Sequence, residues 1–85
     1  MILPPATCVV SKDQHMDLRS KIERFFNAQG CVGRMDIYSR GDSETVYIEF
    51  NQLPSTEKNQ KERSKLLSGE LRIESYVLRP QLVLS

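Results

Sequence analysis

The chain has 85 residues, of which 39% are hydrophobic, and it lacks tryptophan. This length indicates a single domain, residues 1–85, whose core is barely large enough for the chain to fold alone. With 12 basic and 11 acidic residues the formal net charge is +1, which argues against a strongly basic nucleic-acid binder and against an acidic DNA mimic.

The first ten residues, MILPPATCVV, carry no basic region and only a short apolar run, broken by Pro4 and Pro5. A secretory signal is therefore not expected, and no later segment is long enough to span a bilayer. The sequence predicts a soluble cytoplasmic protein without membrane contact. Within this start, residues 7–11 have the β-branched content of a short strand.

A helix is predicted over about residues 12–29, because Ser11 and Gln14 have the spacing of a capping box. Four apolar residues recur there at helical spacing: Leu18, Ile22, Phe25 and Phe26. Gly30 is the residue type that adopts the left-handed conformation just after a helix. The pattern predicts one amphipathic helix with its apolar stripe facing the core.

Residues 34–50 read as a β-hairpin, with turn formers at 40–43 between two alternating segments. One face is apolar: Met35, Ile37, Val46, Ile48 and Phe50. The other face carries polar residues and tyrosines: Arg34, Asp36, Tyr38, Thr45, Tyr47 and Glu49. We expect the apolar face to pack on the first helix.

A second, polar helix is predicted over residues 56–68, with Ser55 able to cap it and Gly69 closing it. Leu66 and Leu67 near its end, and Leu53 before it, are the residues that could dock it on the rest of the domain. Residues 71–77 alternate as a further strand, which Pro80 ends or bends. The fold class is α+β, a small antiparallel sheet with two helices in the order β-α-β-β-α-β. That order also fits a ferredoxin-like arrangement, but the second helix looks too polar to be a buried partner.

Catalytic and metal-binding chemistry is not predicted. Cys8, Cys31 and His15 are too few, at the wrong spacing, for a zinc site, and no local motif pairs a thiol with a base. The sequence predicts no enzyme and no cofactor. The cysteines are expected as buried thiols, a Cys8–Cys31 disulfide being the alternative. The GCVG run at 30–33 has the form of a nucleic-acid-clamping GxxG loop, but a helix stop at Gly30 is the favoured interpretation.

The polar helix carries four basic residues: Lys58, Lys61, Arg63 and Lys65. They are either a solvated surface balanced by neighbouring glutamates or a basic face offered to phosphate or to protein carboxylates. The second interpretation makes the chain a nucleic-acid-binding regulator acting through helix 56–68. A winged-helix arrangement, with the first helix as reader, lacks the helices that should precede it.

Two other features favour a protein partner and a homodimer. Side chains of the types that anchor protein interfaces are predicted on the polar side of the sheet, Tyr38, Tyr47, Tyr76 and Arg72. The alternative is ordinary sheet surface with tyrosine pairs across strands. An apolar C-terminal tail is predicted to join a second copy, through Leu78, Leu82, Val83 and Leu84.

The segment SETVYIEFNQLPSTEKNQKERSKLLSG, residues 43–69, together with the balanced charge and absent catalytic motif, resembles in general character the small prophage antirepressors and phage accessory regulators. The resemblance implies a non-enzymatic inhibitor that contacts a helix-turn-helix repressor. It carries no contact residues over to this sequence. The chain is expected to be a protein-interaction module that inhibits or modulates another protein. A DNA-binding repressor is one candidate for that partner.

Overall fold

The computed structural model describes residues 1–81. Its elements in chain order are β1 Ala6–Ser11, α1 His15–Phe26, β2 Val32–Arg40, β3 Ser43–Phe50, α2 Glu57–Leu67, β4 Leu71–Ile73 and β5 Tyr76–Pro80. The α+β class and the order of the first five elements agree with the sequence analysis. The last predicted strand is instead a hairpin of two short strands, β4 and β5.

The strands form one antiparallel sheet in the order β2-β3-β1-β5-β4. Without β4, this order and the two helical crossovers are those of the ferredoxin-like split β-α-β arrangement. On the sequence alone, the polar composition of α2 argues against that arrangement. In the structure α2 does pack on the sheet, and it buries Asn59, Glu62 and Leu66.

The two faces of the sheet differ sharply in burial. On one face, Ala6, Cys8, Val46 and Ile48 join Leu18 and Ile22 of α1 and Leu66 of α2 in a single core. Both helices therefore cover this face. The opposite face, which we call the open face, has no element packed over it within residues 1–81. Its residues are Thr7, Val9, Ser11, Arg34, Asp36, Tyr38, Arg40, Ser43, Thr45, Tyr47, Glu49, Arg72, Val77 and Arg79.

α1 is shorter than predicted at both ends. It begins at His15 after Gln14, and no side chain caps it, so the expected capping box of Ser11 and Gln14 is wrong. Asn27 takes the left-handed position, with φ 50°, directly after Phe26. The predicted stop at Gly30 therefore lies beyond the real helix end. Asn tolerates the left-handed region because its short polar side chain can bond locally.

The C-terminal hairpin changes which residues face the core. Glu74 adopts φ 53° in the turn between β4 and β5, and Ile73 then pairs with Tyr76. A continuous strand would place Tyr76 with the polar residues; the turn instead gives it the phase of Ile73. Tyr76 is only 6% exposed, which corrects the prediction that it lies on the polar side. Val77 takes its place on the open face, opposite Arg72.

Candidate functional site

The centre of the open face is a row of uncharged side chains that crosses the sheet. Tyr38 of β2 pairs with Thr45 of β3, which in turn pairs with Val9 of β1. Val9 is 69% exposed and Tyr38 is 61% exposed. Val77 of β5 lies on the same face and is half-buried. We call these four residues the open-face row, and it is defined by the register of strands that are distant in sequence.

A hydrogen-bonded cluster of charged groups lies beside the open-face row, towards the start of β2. The Nη2 atom of Arg34 lies 2.9 Å from Oδ2 of Asp36, and the hydroxyl of Tyr47 donates to Oε2 of Glu49 at 2.9 Å. The bond to Glu49 raises the pKa of Tyr47, because it favours the protonated phenol. The side chain of Tyr47 is thereby directed along its own strand.

The β4–β5 side of the open face carries Arg72, opposite Val77, and Arg79, opposite Thr7. Their guanidinium groups lie 3.7 Å and 3.9 Å from the carboxylate oxygens of Glu70. All three side chains are largely exposed, and exposed pairs at such distances contribute little stability. The open-face row itself is uncharged, but charged residues lie around it: Asp36 in the adjacent row, and Arg72 opposite Val77 at its β4 end.

Three of the predicted partner-binding residues meet on the open face: Tyr38, Tyr47 and Arg72. Tyr76 does not join them. Its ring is in the core, and its hydroxyl donates to Oδ2 of Asp17 on α1. Burial, followed by the neighbouring Asp17 carboxylate, raises the pKa of Tyr76 to about 12. Tyr76 is therefore a core residue that ties the final hairpin to α1.

The basic residues of α2 lie in the helical layer, on the opposite side of the sheet. Lys58 donates to the carbonyl oxygen of Phe25 at 2.9 Å and lies 5.2 Å from the centre of its ring. Arg63 donates from Nε to the carbonyl oxygen of Ile2, and Lys65 is bonded to Glu62. Lys61 is exposed and makes no salt bridge within residues 1–81. Three of the four cations are thus engaged by this chain itself.

The predicted dimer residues fall in two groups. Leu78 is fully buried in the core of its own chain, so it is not available to a second copy. Its position follows from the register of the final hairpin, in which Leu78 pairs with Leu71. The other three, Leu82, Val83 and Leu84, lie outside the described residues.

The groups that could support catalysis are not arranged as an activated pair. Cys8 and Cys31 are free and buried, and burial raises the pKa of both thiols, that of Cys31 to about 11. Both thiols are thus protonated at neutral pH. His15 instead shares a contact with Glu44. No group of three or more potential metal ligands occurs within residues 1–81.

Two surface depressions lie away from the open face. One, of about 530 Å³, is lined by residues of the N-terminus and α2: Met1, Ile2, Gln60, Arg63 and Ser64. The other, of about 160 Å³, lies between α1 and the final hairpin: Lys21, Arg24, Phe25, Ile73 and Glu74. Neither depression is lined by Cys8, Cys31 or His15, so neither presents a base beside a nucleophile.

Val9 and Val77 were missed as candidate residues. The alternation of Thr7 and Val9 with Ala6, Cys8 and Val10 could have identified the outward side of β1. Val77 could not have been found in this way, because its orientation depends on the turn at Glu74.

Comparison with protein-family models, with curated proteins and with solved structures finds no significant match for this chain. No helix in the described part of the chain has the length and apolar character needed to cross a membrane. The candidate site therefore rests on the geometry of the open face.

Proposed function

We propose that the protein is a small non-enzymatic module that binds another protein through its open face, and thereby inhibits or modulates it. The observation that carries the proposal is the pairing of Val9, Thr45 and Tyr38 in one exposed row. An uncovered row with two large, strongly exposed side chains is typical of an interaction surface. Tyrosine at its end supplies contact area together with a hydroxyl.

The charge pattern favours protein over nucleic acid as the occupant of this face. Asp36 and Glu49 lie around Tyr47, the tyrosine nearest the middle of the sheet. A base stacked on Tyr47 would bring its phosphates towards two carboxylates and one guanidinium, that of Arg34, so the local charge is net negative and disfavours phosphate. A protein surface with an apolar centre and a polar rim matches the uncharged row and the mixed charges around it.

A narrower form of the proposal is that the partner is a DNA-binding repressor, as the resemblance to antirepressors implies. In that case the protein should release the repressor from its operator DNA. We also place the protein in the cytoplasm, where thiols stay reduced; the free, buried Cys8 and Cys31 support that placement.

The alternative, a nucleic-acid-binding regulator acting through α2, is less well supported. Lys58, Arg63 and Lys65 each bond to a group of this chain, and phosphate would have to replace those contacts. Its test is a salt series with Lys61→Glu/Lys65→Glu. Loss of DNA retention in this variant, with retention by the wild type falling steeply as salt rises, would favour the alternative.

The experiment for the main proposal begins with capture of a partner from the native host and its purification. Binding of the purified pair is then measured for the wild type, Val9→Lys and Tyr38→Ser. We expect each substitution to weaken binding about tenfold or more, as for central interface residues. Met16→Lys is the matched control, since Met16 is a comparably exposed apolar residue, 66% exposed, on α1 in the opposite layer.

Unchanged binding by Val9→Lys and Tyr38→Ser, or an equal loss with Met16→Lys, would exclude the open face as the binding surface. For the narrower form, the purified repressor is first bound to its operator. Operator release that requires Tyr38 and Val9 would support it. A repressor that stays on its operator at saturating wild-type protein would rule it out.

A further inference from the structure

The two edges of the sheet are unequal. β4 is an edge of three residues, whereas β2 is an edge of nine. Short edge strands offer few free backbone groups, and long ones invite pairing with another strand. In the C-terminal half of β2, from Ile37 to Arg40, the side chains are also exposed.

The turn after β2 determines which backbone groups face outward. Gly41, with φ 64°, occupies the first central position of a two-residue loop, as in a type II′ turn. Arg40 and Ser43 flank that loop and exchange hydrogen bonds, so alternate residues of β2 bond to β3. Ile37 and Ser39 alternate with these bonded residues, so their N–H and C=O groups point away from the sheet.

The helical layer does not cover this end of β2. Ile37 lies on the helix-facing side and is still 38% exposed, and Ser39 beyond it is exposed. A second strand can therefore approach the edge from Ile37 to Gly41 without meeting α1 or α2.

We propose that β2 pairs antiparallel with β2 of a second copy of this chain, with the two-fold axis at Tyr38. In this register Asp36, which also pairs with Arg34 of its own chain, lies opposite Arg40 of the second copy, and Arg34 comes beside the β2–β3 turn that carries the second copy's Asp42. By symmetry each contact occurs twice, and opposite charges across strands stabilise pairing.

The neighbouring registers are electrostatically worse. An axis at Ile37 places Arg34 opposite Arg40, and an axis at Asp36 places the two Asp36 carboxylates opposite each other. Registers with the axis between two residues are excluded. They would place Ile37 and Ser39 opposite residues whose backbone groups point inward, towards β3. An axis at Ser39 would place Ile37 opposite Gly41 in the turn, beyond the end of β2, and so would pair fewer strand residues. Charge complementarity and strand length thus favour a second copy as the occupant and Tyr38 as the axis.

The pairing also accounts for the two large exposed side chains of β2. The Tyr38 residues form a pair without mutual backbone hydrogen bonds, the kind in which side chains lie closest. On the other side, Ile37 packs diagonally against Ile37 of the second copy. The two open faces join in one continuous surface. A single-strand contact buries less than the ~1,200 Å² of stable complexes, so we expect a weak, concentration-dependent dimer.

The first test is cross-linking with Tyr38→Cys. Cα atoms in such a close antiparallel pair are ~4.5 Å apart, within the range a disulfide spans. We expect Tyr38→Cys to form a disulfide-linked dimer under mild oxidation. Ile37→Cys is the matched control and should link much less, because it faces Ser39 of the second copy. Equal linkage of the two variants, or none with Tyr38→Cys, would overturn the proposal.

The second test is a charge exchange, followed by light scattering over a concentration series. Asp36→Arg and Arg40→Asp each place like charges across the axis, and each should weaken the dimer about tenfold or more. The double variant, Asp36→Arg/Arg40→Asp, should recover the wild-type dimer constant. Circular dichroism melts confirm that each variant is folded.

A wild type that is monomeric throughout, or a double variant that fails to recover, would overturn the proposal. So would a dimer that survives Asp36→Arg but is lost in Leu82→Asp/Leu84→Asp, since that result places the interface on the tail. Val9 lies on β1, away from this edge, so Val9→Lys tests binding of a different protein without changing the dimer interface, and the two proposals can fail separately.

Discussion

The Nδ1 atom of His15 lies 3.2 Å from Oε1 of Glu44, a residue that is only 4% exposed. The same carboxylate accepts a hydrogen bond from the backbone N–H of Asp13 and another from the hydroxyl of Ser39. Glu44 therefore joins the loop before α1 to β2 and β3. It fixes the start of α1, which has no side-chain cap of its own.

We expect Glu44→Gln to lower the free energy of unfolding at neutral pH. Hydrogen bonds to Glu44, first of all that with His15, hold its pKa below the usual range. A carboxyl group with a lowered folded-state pKa stabilises the protein above its unfolded pKa, and that contribution is lost as pH falls through the folded pKa. Urea titrations from neutral to acidic pH should show the difference between wild type and variant shrinking in acid. A difference that does not vary with pH would contradict this role.

Tyr76→Phe tests the link between the final hairpin and α1. Removing the hydroxyl that donates to Asp17 should cost about 1 kcal/mol at neutral pH. The pKa of Tyr76 is about 12 in the folded protein, against about 10 when unfolded. The free energy of unfolding of the wild type is therefore unaffected by this group below pH ~10 and falls as the pH rises from about 10 towards 12. Phe cannot ionise, so the variant should lose less in alkali and the two unfolding curves should converge. If the deficit of the variant grows above pH ~10, the assignment is wrong.

Much of the fold could be predicted from the period of its apolar residues. Leu18 and Ile22 identify α1, and the alternation through Val46 and Ile48 gives both the hairpin and its buried side. The final hairpin could not be predicted, because its turn at Glu74 contains neither glycine nor asparagine. A turn of ordinary residues leaves no local signal in the sequence. The position of this turn is determined instead by the pairing of β5 with β1 and β4.

The candidate site was only partly predictable for a related reason. Tyr38 and Tyr47 could be placed on one side of a hairpin from alternation alone. The row from Tyr38 to Val9 also requires β1 to lie beside β3, a contact between distant segments that strand patterns do not specify. Without the strand order, the polar sequence of α2 gave no reason to place it on the sheet. In the structure α2 covers the sheet with Leu66 as its one buried apolar residue.

Gly33→Ala should destabilise the start of β2, where the register between β2 and β3 shifts. A methyl group on Gly33 would lie 2.7 Å from Oδ1 of Asn51, whose amide group donates to the carbonyl oxygen of Gly30. The Asn51 side chain is exposed and can move aside, so we expect a loss of about 0.5–1.5 kcal/mol in urea unfolding, the net value of its hydrogen bond to Gly30. In an Asn51→Ala background the same change should cost only a few tenths of a kcal/mol, about the level of independent surface changes. Equal costs in both backgrounds would show that the clash is not the cause.

Leu66 and Leu67 were both predicted to dock α2, and the structure separates them. Leu66 is fully buried, whereas Leu67 is 50% exposed. Because Leu66 is the only apolar residue that α2 buries, Leu66→Ala should cost about 2–5 kcal/mol, the range for leucine in a core. Leu67→Ala, chemically identical and one residue away, should cost less than about 0.5 kcal/mol. Thermal and urea unfolding of the two variants provide the comparison. Similar losses for both would mean that α2 is held by its polar bonds, such as those of Lys58 to Phe25 and Arg63 to Ile2, rather than by one buried leucine.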